Sequence, residues 1–138
     1  MANSNRPTRH ISVSAQPTVA ATVMADQVLL AEAARAGLAT IHVLAVPSNW
    51  SLDDIWTIAE RAVRFNVGLT VLVGENARKG FFAVQAEGSW ASEVVLVDNF
   101  GAGLAHIPTE SSNGIHVLLT GFTDSENATA TELMREHS

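Results

Sequence analysis

Apolar residues in this chain recur with two different periods, and the alternation between them predicts the elements. From Thr18 to Ala36 they return every three or four positions (Ala20, Met24, Val28, Ala31, Ala34), the signature of a helix with one buried face. Thr18 is placed to cap that helix, and Gly37 suits a left-handed stop. Thr40 to Val46 is apolar except for His42 and reads as a buried strand, ended by Pro47. Ser51 opens a second helix with Asp54 in the capping-box position, and Ile55, Ile58, Ala59, Ala62 and Phe65 form its stripe. Asn66 to Gly68 stop it. Leu69 to Val73 is apolar on both faces apart from Thr70, as a central strand should be. The strand–helix–strand unit predicts a right-handed crossover with parallel strands. Glu75 to Lys79, bounded by Gly74 and Gly80, reads as a hairpin loop that returns Phe81 to Ala86 antiparallel to Leu69 to Val73. The expected class is therefore α/β: one three-layer sandwich with a small mixed sheet, βαβ crossover plus hairpin, covered by helices.

The flanks are less regular. Met1 to Pro17 is polar with two prolines and reads as a flexible arm, with the folded domain running from residue 18 to 138; the alternation of Ile11 and Val13 with serines offers a short edge strand instead. After Gly88 two signals compete. Val94 to Val97 is β-branched, yet Trp90, Val94, Val97, Gly101 and Leu104 are spaced as on a helix behind Ser89. The same competition recurs at Ile115, Leu118, Leu119 and Phe122, and local propensity favours strand in both places. Asp124 to Ser138 reads as a polar helix or a frayed tail. Ile41-His42-Val43-Leu44 returns at Ile115-His116-Val117-Leu118, an echo too short to mark a repeat.

Composition narrows the function classes. Among 138 residues, 47% are hydrophobic and 16% charged, a globular balance long enough for a full core. Fourteen acids against eight bases give a net charge of −6, which argues against a nucleic-acid partner. With no cysteine there is neither a disulfide framework nor thiolate chemistry. No apolar run approaches the ~18 residues of a membrane span. The N-terminus lacks the apolar core of an export signal, so the expectation is a cytoplasmic protein, or an envelope or exported one if a signal has been removed.

The middle of the chain resembles a known family. Val46-Pro47-Ser48, the run Ser51-Leu52-Asp53-Asp54, Asn66 two places before Gly68, Leu69 to Val73 and Asn76-Ala77-Arg78-Lys79 follow one another in the order and spacing of the TPM domain. The likeness spans Ala31 to Gly88. It implies an α/β fold, helices near Trp90 to Ala105 and Gly114 to Phe122, and a bacterial-type domain linked to phosphatase activity, divalent-metal binding or assembly of membrane complexes. Phe65 and Asn76 stand where the family tends to carry acids, which weakens the metal-binding implication.

Candidate chemistry is sparse. Asp53 and Asp54 adjoin Ser48 and Ser51 at a strand–helix junction, a start for an oxygen-ligand site, although such acids also serve a helix N-terminus. Asp98-Asn99 follows an apolar strand without a lysine-bearing glycine loop, which excludes a P-loop enzyme; Gly101 and Gly103 read as a bend or a close helix contact. Arg61, Arg64, Arg78 and Lys79 hold half the basic residues and would bind a phosphate or an acidic partner if they converged. His42 and His116, in apolar runs, read as core histidines and His106 as exposed. No Ser-His-Asp set is apparent. Trp50, in a loop after a strand, is either a lid on the core or an interaction marker. The expectation is an interaction or assembly module without catalytic residues, binding a protein partner or itself through Ser48, Trp50, Asp53, Asp54, Arg78 and Lys79. The alternative is a phosphatase-like or metal-dependent hydrolase at that junction. No cofactor is expected, calcium or magnesium being the disfavoured alternative, with any calcium bound no tighter than about millimolar.

Overall fold

The computed structural model describes residues 9–78, 81, 93–108 and 114–136. Five strands, β1 (Arg9–Val13), β2 (Ala39–Ala45), β3 (Leu69–Val73), β4 (Glu93–Val97) and β5 (Ile115–Thr120), form one sheet in the order β1-β5-β2-β3-β4. Helices α1 (Ala20–Arg35), α2 (Leu52–Arg64), α3 (Phe100–Leu104) and α4 (Asp124–Glu136) cover it. The α/β sandwich expected from the sequence is present, and β2 and β3 pair in parallel around α2, with Ile41 opposite Leu69 and Ala45 opposite Val73.

The sheet itself corrects several expectations. All four strand pairings are parallel, so the sheet among the described residues is not mixed. The outer neighbour of β3 is β4, in register from Leu69 with Glu93 to Val73 with Val97. Residues 75–78 are helical rather than a hairpin loop, and Phe81 is helical too; the rest of the expected Phe81 to Ala86 strand lies outside the described residues. The physical reason is burial: β3 is buried from Thr70 to Val73, and the helical residues after it bring Ala77 and Phe81 against the core beside Leu72. Glu93–Val97 and Ile115–Thr120 are strands, so β propensity wins over helical spacing, and the helices implied by the resemblance are absent there; Phe100–Leu104, within the first of them, is helical. Nor are residues 1–17 simply an arm. Arg9–Val13 pairs with β5 along its whole length, which extends the folded unit to Arg9.

Side chains alternate across the sheet and separate two cores. Ile41, Val43, Val71, Val73, Val117 and Leu119 face α3 and α4, where Phe100, Ala130 and Met134 meet them. Leu44, Leu72 and Leu118 face α1 and α2, against Val23, Leu30, Ile58, Ala59 and Ala62. Helix α2 follows its predicted stripe, and its capping box closes between Ser51 and Asp54. Helix α1 does not. It buries Val23, Gln27, Leu30, Ala31 and Ala33, while Val28 is exposed, and its N-cap is Val19 with no side-chain cap. Gly37 (φ 88°) ends α1 in the left-handed region, as expected from sequence, and Asn66 (φ 57°) does the same for α2. Gly103 brings α3 close to the sheet: a Cβ there would lie 3.5 Å from Val43 Cγ1.

Candidate functional site

The strand–helix junction singled out by the sequence is built for structure. Trp50 is 8% exposed and its Nε1 donates to the Thr18 carbonyl (3.1 Å), so it pins the lead-in to α1 over the core. The Asn49 side-chain amide donates to the same carbonyl at 3.1 Å. Asp54 Oδ2 accepts from the Ser51 backbone N–H and Ser51 Oγ from that of Asp54, both at 3.1 Å, which commits this carboxylate to the cap. Ser48 and Asp53 are exposed. Among the described residues no group of three or more His, Asp or Glu gathers as a metal site would require.

The arginines of α2 and Arg78 have separate surroundings rather than one shared patch. Arg61 reaches across to α1, donating to Gln27 Oε1 (3.2 Å) and the Met24 carbonyl (2.5 Å) while its guanidinium covers the Phe65 ring at 4.8 Å. Arg78 pairs with Asp98 at 2.8 Å on the surface, an ion pair that water largely screens. Arg64 lines a recess of about 110 Å³ with Arg35, Ala31, Ala34, Phe65 and Asn66. Lys79 lies outside the described residues.

In open parallel sheets ligands favour the carboxyl ends of strands where successive connections leave to opposite faces. Here that point falls beside β5, which leads to α4, while β1 and β2 lead to α1 and α2 on the other face. It is filled internally. Thr120 Oγ1 meets Ser14 Oγ at 2.8 Å and His42 Nε2 at 2.9 Å, and all three residues are buried. Gly121 (φ 91°) lies so near β2 that a Cβ would be 2.6 Å from the Ala45 carbonyl oxygen. His42 is a core histidine as predicted, and burial lowers its pKa from 6.5 to about 4. Its Nδ1 and the Thr70 hydroxyl, on in-register residues of β2 and β3, are buried without a partner.

An open feature lies elsewhere, at the edge of β1 that pairs with no described strand. An open cleft of about 490 Å³ runs between β1, β5 and the C-terminal half of α1. Leu29, Ala33, Ala36 and Leu38 give it aliphatic walls; His10, Ser12, Glu32 and His116 supply its polar groups, and Ile11 borders it while packing into the opposite core. Ser12 Oγ and His116 Nε2 lie 2.7 Å apart, from residues 104 positions distant in sequence. The rings of His10 and His116 are 5.7 Å apart, as the pairing of Arg9–Val13 with β5 requires. His116 is thus half-buried and cleft-lining rather than a core histidine, whereas His106 is exposed as expected. Burial, and secondarily the His10 imidazole, pulls the His116 pKa below its usual value. Hence His116 is neutral near pH 7; with the serine hydroxyl donating, Nε2 is its acceptor nitrogen. Reading residues 1–17 as an arm hides this cluster, because the arm gives Ser12 no neighbour. The available signal is the alternation of His10, Ser12 and Ser14, which places all three on one face of a strand.

No family model and no curated protein matches the chain. Among solved structures it is similar to one described as "Crystal structure of a domain from a putative UDP-N-acetylmuramate:L-alanyl-gamma-D-glutamyl-medo-diaminopimelate ligase from Haemophilus ducreyi 35000HP", with a TM-score of 0.50 and 11% identity over 97% of this chain and 94% of that one. At that identity the likeness extends to the α/β fold and no further.

Proposed function

We propose that this chain is a binding module whose recognition surface is the cleft beside β1, taking a group with an aliphatic body and one hydrogen-bonding head. The observation that carries this reading is the convergence of His10, Ser12 and His116 at the end of an aliphatic-walled opening of about 490 Å³. Concave sites with apolar walls and a few convergent polar groups are where ligands are usually held. An interaction or assembly role of the kind the TPM resemblance implies is compatible with it, the bound group then belonging to a protein partner or a second copy. The hydrolase alternative at Ser48 and Asp53 has less support, since Trp50 and Asp54 beside them are engaged in pinning and capping.

The test is a titration of ¹⁵N-labelled protein with a library of small aliphatic acids, amides and alcohols, read by amide shifts. Hits should converge on Ser12, Leu29, Leu38 and His116, and Leu29→Trp, which fills the cleft, should abolish them. Shifts centred on Ser48 and Asp53 instead would overturn the assignment.

A further inference from the structure

We propose that Ser12 and His116 form a nucleophile–base pair that hydrolyses short aliphatic acyl esters in the β1-edge cleft. This goes beyond simple binding in the same cleft, and its failure would leave the binding reading standing.

Three features of the structure carry it. First, the pair has the geometry nucleophilic catalysis requires: 2.7 Å between Ser12 Oγ and His116 Nε2, within hydrogen-bond reach, with the pair lining an open cleft. Second, the base is in the right form. A half-buried imidazole whose charged state is disfavoured accepts the serine proton at neutral pH. Third, the strand is an edge. β1 pairs only with β5 among the described strands, and the Ser14 backbone N–H donates to the Leu119 carbonyl at 2.9 Å. Successive N–H groups of an extended strand point to opposite sides, so those of Ile11 and Val13 point away from β5, toward the side where no described strand pairs. The N–H of the residue that follows the serine is therefore available to a developing oxyanion.

The reaction balances with water as the only co-reactant. Ser12 Oγ attacks the acyl carbonyl carbon as its proton passes to His116 Nε2. The bond to the alcohol oxygen breaks, and His116 returns the proton to that oxygen. Water, deprotonated by the same nitrogen, then attacks the acyl-serine; the carboxylic acid leaves and Ser12 recovers its proton. Leu29, Ala33 and Leu38 give the acyl chain an aliphatic wall, while among the described residues no arginine or lysine lines the cleft, which favours uncharged esters over phosphoesters.

The test uses the full chain and a fluorophosphonate, which is captured by activated serines with loss of fluoride. Intact mass should show one adduct, peptide mapping should place it on Ser12, and His116→Gln should slow labelling at least 10-fold at unchanged melting temperature. Hydrolysis of p-nitrophenyl butyrate should rise with pH through a midpoint below 6.5, following His116 deprotonation, and should vanish in Ser12→Ala. The site mapping uses wild-type protein, so it holds even if a variant fails to fold. A folded wild-type protein with no adduct on Ser12, or labelling indifferent to His116→Gln, would overturn the proposal.

Discussion

Lowering the pH should destabilise this protein strongly through its buried His42. It is fully buried at the centre of the sheet, its in-register neighbours Thr70 and Leu118 carry no charge, and its Nε2 is hydrogen-bonded to the Thr120 hydroxyl. Burial holds its folded pKa at about 4, against 6.5 in an exposed chain. The unfolded state therefore takes up a proton first as pH falls. The stabilisation is complete above the unfolded value and is lost progressively until the folded value is reached. The whole interval corresponds to about 3.4 kcal/mol at ~1.36 kcal/mol per pH unit. Between about pH 7.5 and about pH 4.5 the part lost is about 2.5 kcal/mol, a large fraction of a domain's stability. Urea unfolding across that range, for wild type and His42→Leu, isolates it: the difference between the two should change by this amount, wild type losing more as pH falls. Every other ionisable group is common to both proteins, so the difference between them isolates His42. The His42 ring resonances give an independent reading in wild type and should not titrate above about pH 5. A stability difference flat to within about 0.5 kcal/mol, or a ring titrating near 6.5, would refute the argument.

Other expectations follow from single contacts. Asp54→Ala should cost about 1 kcal/mol by removing half of the α2 capping box, whereas Asp53→Ala, on an exposed side chain, should change stability by less than about 0.5 kcal/mol; equal effects in thermal melts would show that the cap is not what holds this junction. Gln27 is buried, donates to the Ile58 carbonyl at 3.1 Å and accepts from Arg61 at 3.2 Å, so it joins α1 to α2. Gln27→Ala should cost about 2–3 kcal/mol in urea unfolding, combining a cavity with polar groups left unpaired, and a loss near zero would mean that water replaces the amide.

The features legible from the residues alone are local ones. The α/β class, the β2–α2–β3 crossover, the capping box at Ser51 and Asp54, the stripe of α2 and the stop at Gly37 are each written within a few consecutive residues, where period and cap chemistry act directly. At Val94 to Val97 and Ile115 to Phe122 the residues carry two signals: helical spacing and the family resemblance point to a mainly helical Trp90 to Ala105, propensity to strand, and strand forms at Glu93–Val97 and Ile115–Thr120 because β-branched runs satisfy a parallel sheet. Other features depend on partners far along the chain. Arg9–Val13 offers only the weak alternation of Ile11 and Val13 with serines, and it becomes a strand because β5 gives it an edge to pair with. The buried face of α1 is undefined in an alanine-rich helix until α2 supplies Arg61 and the Ile58 carbonyl for Gln27. The edge cleft exists for the same reason: register alone sets His10 beside His116 and brings Ser12 within hydrogen-bond reach of it, across 104 residues of sequence. Pairing between distant strands is a tertiary event, and no local period encodes which edge a strand will find.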